Sequence, residues 1–275
     1  MSATLLIAQI SDTHIKPEGR LAYERVDTAW HLGRCVEHLL ALDPRPDVVL
    51  ATGDLVDAGL AEEYRRLARL LAPLPMPVYL IPGNHDARDP LREVFAHHRY
   101  LPRSGFLQYA VDEHPLRLIG LDTLVPGEGG GVMDEERVRW LDARLAEAPH
   151  RPTLIFMHHP PFRTGIDRMD RQGLASAEAM GKVIAQHPQI EAIVCGHLHR
   201  PIHTRWQGTV VTTAPSPAHQ VALDLDKGDK LGWVMEPPAC LLHVWRAGAG
   251  LVTHTSYVGE FSGPYPFYKA GKLID

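Results

Sequence analysis

The sequence predicts an α/β fold, a four-layer αββα sandwich in which two mixed β-sheets pack together and helices flank their outer faces. Three features of the chain lead to this prediction: continuous apolar runs, amphipathic helical stretches between them, and a change to short strands and turns after residue 209. Continuous apolar strands that alternate with helices are typical of sheets covered by helices. The predicted strands are residues 5–10, 48–52, 78–81, 116–122, 154–158 and 192–195, and the predicted helices are residues 26–42, 61–71, 134–148 and 176–186.

The region after residue 209 is expected to add antiparallel strands that complete the second sheet. Short apolar runs separated by turns predict these strands at residues 210–213, 220–225, 240–245 and 252–257. Residues 215–238 have Pro- and Gly-rich ends and a charged middle, in which residues 226–229 have the composition of a hairpin turn. We expect this segment to protrude from a single domain of residues 1–275 as a small cap or oligomerisation arm, in a homo-oligomer.

Composition excludes several classes of protein. With a net charge of −5 over 275 residues, the chain is not expected to bind nucleic acid, which proteins hold mainly through cationic side chains. It contains no apolar run of roughly 18 residues or more, so no membrane segment is expected. Cys35, Cys195 and Cys240 are too scattered for a disulfide framework or a thiolate metal site. The opening residues lack the basic start of a signal peptide, and we expect a cytoplasmic protein.

Five short polar motifs lie at or just after the ends of predicted strands. Because the carboxyl ends of neighbouring parallel strands meet at one edge of a sheet, we expect these motifs to converge there. Asn84, the only asparagine in the chain, belongs to one of them. The motifs are Asp12-Thr13-His14, Gly53-Asp54-Leu55-Val56-Asp57, Gly83-Asn84-His85-Asp86, His158-His159 and Gly196-His197-Leu198-His199.

The residue types in these motifs favour a centre of two divalent metal ions. Imidazole and carboxylate ligands suit Fe, Mn, Zn or Co, and the sequence does not choose among these metals. Two ions about 3.5–4 Å apart need one ligand that both share, usually a carboxylate. Such a pair polarises phosphoryl oxygens and lowers the pKa of bound water, so the motifs predict hydrolysis of a phosphate ester.

The five motifs resemble the signature of the calcineurin-like metallophosphoesterases, which reads DxH, GDxxD, GNH followed by D or E, H, and GHxH. The resemblance extends from the first predicted strand to His199. Within that superfamily the chain is similar to the branch of bacterial glycerophosphodiesterases and class III cyclic-nucleotide phosphodiesterases. The stretches that carry this closer likeness are IPGNHD, FMHHPP and CGHLH, and more weakly PPACLLH.

The resemblance implies a role for each polar residue of the motifs. Asp54 would bridge the two metals and, with His85, take part in catalysis. His85 would contact the scissile phosphate or the leaving oxygen, and Asn84 and Tyr23 would also contact the substrate. The first metal would be held by Asp12, His14 and His199, and the second by Asn84, His158 and His197, with Asp54 shared.

Simpler roles are expected for other residues of the motifs. Asp57 is expected either to support a metal ligand from outside or only to hydrogen-bond within the loop after Asp54, and Asp86 is expected to cap its turn or orient the histidine before it. If the strand continues, His159 points to the opposite face from the preceding histidine and supports the site from outside. Cys195 is expected to be a small buried residue rather than a nucleophile.

One departure from the superfamily pattern favours a phosphodiester over a phosphomonoester. Phosphoprotein phosphatases of the superfamily have an arginine where this chain has Ala58, and that cation binds the second negative charge of a monoester. The sequence therefore predicts a diesterase in which a metal-bound hydroxide attacks the phosphorus in line. Its small-molecule substrate is expected to be a cyclic nucleotide such as cAMP, a glycerophosphodiester, or both. A nucleotide-pyrophosphate hydrolase, a phosphomonoesterase and a non-catalytic scaffold on the same fold remain alternatives.

Overall fold

Two β-sheets of five and six strands form the centre of the molecule, which we describe from a computed structural model. The structure describes residues 3–225 and 231–274. The helices are α1 (Thr28–Ala41), α2 (Ala61–Leu71), α3 (Arg88–Val94), α4 (Glu135–Ala146), α5 (Asp167–Asp170) and α6 (Ala177–Ile184). Among the described residues, no helix is long and apolar enough to cross a membrane.

The strands are numbered in chain order. The first nine are β1 (Thr4–Ile10), β2 (Val48–Thr52), β3 (Val78–Ile81), β4 (Tyr109–Val111), β5 (Arg117–Gly120), β6 (Gly131–Val132), β7 (Thr153–Met157), β8 (Leu174–Ala175) and β9 (Ile190–Cys195). The others are β10 (Ile202–Trp206), β11 (Thr209–Thr213), β12 (Gln220–Val221), β13 (Trp233–Val234), β14 (Ala239–Arg246), β15 (Gly250–Tyr257), β16 (Tyr268–Lys269) and β17 (Lys272–Leu273).

Both large sheets are mixed. The first has the strand order β15-β14-β1-β2-β3, with β1, β2 and β3 parallel and the other two strands antiparallel. The second has the order β10-β11-β9-β7-β5-β4, with parallel strands in the middle and antiparallel strands at both edges. The parallel strands bring the loops after β1, β2, β3, β7 and β9 to one edge of the molecule, as the sequence predicted.

The core lies in layers because successive side chains of each strand point to opposite faces of its sheet. In β7, Leu154 and Phe156 belong to the core that contains β1 to β3 and helices α1 and α2. Ile155 and Met157 point the other way and pack with α4 and α6. Helices therefore cover the outer face of each sheet, which confirms the predicted αββα sandwich.

The predicted boundaries hold best where a clear periodicity or cap marks them. The helix predicted at residues 61–71 has those bounds. The helix predicted from residue 26 begins at Thr28, because the Asp27 side chain accepts a hydrogen bond from the backbone of Trp30 and caps it. Asp134 caps α4 in the same way, by accepting from the backbone of Arg137.

The predictions for the C-terminal strands were partly wrong. Strand β11 joins the second sheet parallel to β9, whereas β14 and β15 extend the first sheet because β1 has a free edge there. The strand predicted at residues 220–225 is only the two residues of β12, since its partner β13 is equally short. Residues 215–221 are buried and do not protrude. The turn predicted at residues 226–229 lies outside the described residues, and the arm at 215–238 stays a prediction.

Candidate metal centre

The loops at the shared edge bring the five motifs together. Asp12, His14 and His199 form the first half-site, in which one donor atom from each residue lies within 4.8 Å of the others. Nε2 of His199 lies 3.2 Å from Nε2 of His14 and 3.4 Å from Oδ1 of Asp12. The structure therefore places side by side the three residues predicted to hold the first metal.

Asn84, His158 and His197 form the second half-site. Oδ1 of Asn84 lies 3.2 Å from Nε2 of His158 and 3.1 Å from Nδ1 of His197. These are the three residues predicted for the second metal, and they come from the loops after β3, β7 and β9.

Asp54 lies between the two half-sites. Its Oδ2 is 3.6 Å from Nε2 of His14 and 3.4 Å from Nε2 of His158. Its other oxygen, Oδ1, accepts a hydrogen bond of 2.9 Å from the backbone N–H of His85. One carboxylate oxygen thus faces donors of both half-sites, which is the geometry that a bridging ligand needs.

Outer partners orient three of the histidines. Nδ1 of His158 donates to the last carbonyl of β2 at 2.8 Å, and Nδ1 of His199 donates to the carbonyl of His219 at 2.9 Å. Nδ1 of His14 faces the carboxylate of Asp57 at 3.5 Å. The carbonyl partners only accept hydrogen bonds, so Nδ1 of His158 and Nδ1 of His199 each carry a hydrogen, and Nε2 of each ring faces the centre.

The spacing of the donor atoms fits divalent metal ions. With metal–ligand bonds of roughly 2.1 Å, neighbouring ligands in tetrahedral or octahedral coordination lie roughly 3.0–3.4 Å apart. The donor pairs named above are separated by 3.1–3.6 Å. Nε2 of His14 and Nε2 of His199 are 3.2 Å apart, close enough for one divalent cation to bind both. The residues present therefore fit a divalent metal centre.

The backbone of the centre adopts conformations that residues with side chains rarely take. Five of the seven predicted ligands have a positive φ, between 42° and 71°, although such angles are uncommon outside glycine. The surrounding structure must hold these residues in place, and such strain is concentrated at functional sites. The five are Asp12, His14, Asp54, His197 and His199.

The motif glycines allow the loops to approach one another closely. A Cβ atom at Gly196 would overlap Oγ of Ser11, and one at Gly83 would overlap the carboxylate of Asp54. No side chain can be accommodated at either position without moving a ligand loop. This is the physical reason for the glycine before His197 and before Asn84.

Burial and neighbouring charges shift the pKa values at the centre. Burial raises the pKa of Asp12 to about 6. Burial also opposes the ionisation of Asp54, but the charge and the hydrogen bond of His158, together with the charges of His14 and His85, outweigh it and hold the pKa of Asp54 well below its usual range. Although burial lowers the pKa of His158, Asp54 raises it to about 9. Burial lowers the pKa of His199 to about 4 and that of His197 to about 3, which favours the neutral form that binds metals.

His85 lies beside the centre, outside both half-sites. Its side chain is exposed at the cavity, and its Nδ1 donates to the carbonyl of Asp57 at 2.8 Å. Its ring is edge-on to His14, with centroids 4.7 Å apart. Burial lowers the pKa of His85, but the charge of Asp54 and the hydrogen bond to Asp57 outweigh it and raise the pKa above its usual value.

Asp86 and Cys195 have the structural roles expected of them. The Asp86 carboxylate accepts hydrogen bonds from the backbone of Gly83 at 2.8 Å and Leu55 at 3.1 Å, and from the Tyr64 hydroxyl at 2.8 Å. It thereby ties the loops after β2 and β3 together. Cys195 is fully buried, and burial raises the pKa of its thiol.

Asp57 and His159 both support the centre from outside. The carboxylate of Asp57 pairs with Lys16 and faces a histidine of the first half-site. Strand β7 ends at Met157, so the alternation that would turn His159 to the opposite face does not apply. The His159 ring packs against His197, with centroids 4.7 Å apart, and so supports a residue of the second half-site.

A cavity of about 340 Å³ opens over the metal centre. Tyr23, predicted to contact the substrate, belongs to its lining, as do Asp54, Asn84 and His85. Several other lining residues follow no strand-end motif, so the sequence carried no signal for them. They are Met169, Gln172, His219, Val221, Leu231, Gly232 and Trp233.

Residues 5–201 match the calcineurin-like phosphoesterase family. The chain is 44% identical to a probable glycerophosphodiester phosphodiesterase from Arcobacter nitrofigilis over 273 residues, which cover 98% of this chain and 100% of the relative. It is 32% identical to a 3′,5′-cyclic adenosine monophosphate phosphodiesterase from Pseudomonas aeruginosa over 220 residues, 80% of this chain and 79% of the relative.

The fold is similar to the crystal structure of a dimetal phosphatase from Danio rerio. The TM-score is 0.62 at 15% identity, over 94% of this chain and 100% of the other, so this likeness concerns the fold alone. This likeness confirms the predicted fold. The two relatives confirm the predicted class of enzyme, a hydrolase of phosphoric diesters. The chain belongs to the calcineurin-like phosphoesterase family.

Proposed function

We propose that this chain hydrolyses phosphodiesters at two divalent metal ions, one in each half-site. The observation that carries the proposal is the position of Asp54, whose Oδ2 lies 3.6 Å from a donor of the first half-site and 3.4 Å from a donor of the second. One oxygen between two sets of donors is what two closely spaced ions require. The ions are Fe, Mn, Zn or Co, because nitrogen and oxygen donors suit each of them.

The chain's own residues position the ester and handle its protons. The bound metals supply Lewis acidity and activate water. Asn84 and His85 border the cavity, from which each would contact the phosphate oxygens. Nδ1 of His85 is committed to the Asp57 carbonyl, so a proton for the departing alkoxide comes from Nε2. The backbone N–H of His85 also donates a hydrogen bond to Asp54 and orients its carboxylate. The residue proposed to donate the proton is thereby linked directly to the residue proposed to bridge the metals.

The lining of the cavity favours a diester over a monoester. None of the described residues that line it is a lysine or an arginine. Ala58 stands where phosphoprotein phosphatases of the superfamily have an arginine. A dianionic monoester would lack the cation that usually binds its second charge, whereas a monoanionic diester does not need one.

The first candidate substrate is a glycerophosphodiester. The relative named for that activity matches 98% of this chain at 44% identity, whereas the cyclic AMP phosphodiesterase matches 80% of the chain at 32% identity. A cyclic nucleotide is the second candidate, because a base can stack on aromatic rings of the lining.

A substrate panel on metal-loaded protein tests the proposal. Stripped protein is reloaded with Mn, Fe, Zn or Co and assayed with glycerophosphoethanolamine, cAMP, bis(p-nitrophenyl) phosphate, a dinucleotide pyrophosphate and p-nitrophenyl phosphate. We expect a higher kcat/KM for the diesters than for the monoester or the pyrophosphate, and glycerophosphoethanolamine ahead of cAMP. A preference for the monoester would contradict the diesterase, and full activity with one ion per chain would contradict the metal pair.

We also propose that the protein is a cytoplasmic homo-oligomer. Phe261, Tyr265 and Phe267 are 68–79% exposed near the C-terminus, and clusters of exposed apolar side chains are typical of interfaces. The three cysteines are buried and unpaired, as is usual in a reducing compartment. Light scattering at micromolar concentration should give a mass above 30.6 kDa, and a monomer would contradict the oligomer.

A further inference from the structure

The cavity contains an aromatic corner that no step of the proposed hydrolysis uses. Trp233 and Tyr23 stack, with centroids 5.5 Å apart and rings 20° from parallel. The ring of His219 is nearly perpendicular to both, with centroids 5.1 Å from Tyr23 and 6.0 Å from Trp233. All three residues line the cavity, and we call them the aromatic corner.

The aromatic corner adjoins the metal centre through the ring of His219. The ring centroid of His219 lies 4.8 Å from that of His199 and 5.7 Å from that of His14, both in the first half-site. A diester whose phosphate lies at the metals has two organic substituents that must extend away from them. The aromatic corner lies close enough to the metal centre for one of these substituents to contact it.

Contacts within the fold hold Trp233 in place. Strand β13, which begins with this residue, pairs with β12 in antiparallel register. The Trp233 ring packs against Ala22 and Ala218. Arg200 and Glu236 form an ion pair of 2.6 Å that fixes the chain just after β13. Because Trp233 is already held in position, its side chain loses little conformational entropy when a substrate binds.

The chemistry of the corner fits a positively charged substituent. Tryptophan and tyrosine rings attract ammonium groups through cation–π interactions. No lysine or arginine is among the described residues of the cavity lining, so no side chain of these two types repels such a group.

We infer that Trp233, with Tyr23 and His219, is the specificity-determining subsite for an ammonium-bearing alcohol of the choline or ethanolamine type. The phosphate stays at the metal centre while the ammonium group contacts the aromatic corner. The inference rests on the proposed function, because it assigns the organic substituent of a diester bound at that centre.

Two substrates that differ only in charge test the inference. Glycerophosphocholine is compared with the glycerol phosphodiester of 3,3-dimethylbutanol, which has the same shape without the charge. In the metal-loaded protein, kcat/KM for the choline ester should be about 5- to 30-fold higher, the equivalent of a cation–π interaction of about 1–2 kcal/mol. Trp233→Leu should bring the ratio close to one through KM for the choline ester, and Trp233→Phe should retain part of it.

Controls separate this inference from the proposed function. Trp30→Leu, at a tryptophan that is 59% exposed on α1, should keep the wild-type ratio. Turnover of bis(p-nitrophenyl) phosphate reports on the metal centre, and its absence from the wild-type protein would instead refute the proposed function. With that activity present, a wild-type ratio near one, no cleavage of the choline ester, or an unchanged ratio in Trp233→Leu overturns the inference. A KM increase confined to cAMP in Trp233→Leu also overturns it and assigns the corner to base stacking.

Discussion

The two half-sites share one carboxylate but offer a metal different amounts of negative charge. The first half-site has Asp12 in addition to Asp54, and Asp57 stands behind its ligand His14. The second half-site has no carboxylate of its own, because its oxygen ligand is the neutral amide of Asn84. Since the charge of the ligands tunes metal affinity, we expect the first half-site to retain its ion more firmly. We therefore expect one firmly held ion beside a more exchangeable one.

The oxygen ligands of the two half-sites also differ in exposure. Asp12 is fully buried and does not line the cavity, whereas Asn84 is partly exposed and does. Access of the half-sites as a whole does not differ in this way, because two residues of each line the cavity. The difference in charge can be tested by changing one ligand at a time.

Asp54→Ala should have the largest effect, because both half-sites lose a ligand at once. We expect the dialysed protein to lose at least one ion per chain and its diester turnover to fall to background. Elemental analysis and turnover of bis(p-nitrophenyl) phosphate measure the two effects. Asp89→Ala, at an exposed carboxylate on α3, is the matched control and should change neither. Two ions retained per chain in Asp54→Ala would contradict the bridge.

His85→Ala should lower turnover strongly without changing metal retention, because His85 belongs to neither half-site. Loss of a general acid typically costs about 10²–10⁴-fold, and we expect that loss for glycerophosphodiesters, which have poor leaving groups. Activated aryl esters should be affected far less. His150→Ala, at an exposed histidine, is the control. An equal loss for both kinds of ester would rule out the acid role, and loss of an ion would place His85 among the ligands.

Asn84→Asp and Asn84→Ala test the difference in charge directly. A carboxylate at this position should tighten metal binding in the second half-site by about ten-fold or more, and alanine should weaken it. The ion of the first half-site should be retained in both variants. Competition with a chelator, followed by elemental analysis, measures both positions. If wild-type protein loses its two ions at the same chelator concentration, the half-sites do not differ as their charges suggest.

The sequence predicts that the candidate ligands converge, because each follows a parallel strand of one of the two mixed sheets, whereas their assignment to metals comes from the resemblance to the family. Strand periodicity locates the ends of β1, β2 and β3, and parallel order brings Asp12, Asp54 and Asn84 to one edge whatever the details of the helices. Residues far apart in the chain therefore converge because the strands that precede them are parallel, and the sequence pattern predicts those strands.

The rest of the site depends on which strands pair with one another, and the hydrophobic pattern of the sequence does not determine those pairings. Strands β14 and β15 have apolar runs that suit either sheet, and the free edge of β1 decides between them. Strand β10 was missed because an edge strand with alternate exposed residues needs little apolar character. His219 and Trp233 reach the cavity only through the pairing of β12 with β13, which spans two residues on each side.

Asp57→Asn should have the smallest effect on the centre, since Asp57 acts only through His14. Removing a carboxylate behind a ligand histidine typically costs about 10–100-fold in metal affinity. We expect the lower end of that range, because 3.5 Å between Nδ1 and Oδ1 is long for a hydrogen bond and Lys16 already shares the carboxylate. Chelator competition should show the weakening in the first half-site alone.

Lys16→Met provides the opposite change, because it frees Asp57 to face His14 without a competing cation. That variant should hold the first ion more firmly than the wild type, while Asp57→Asn holds it less firmly. If Asp57→Asn instead weakens the binding of both ions equally, the charge behind His14 does not distinguish the half-sites. The substitution would then act on both ions through the shared Asp54. Any difference in metal retention would have to come from the carboxylate of Asp12 in one half-site and the neutral amide of Asn84 in the other.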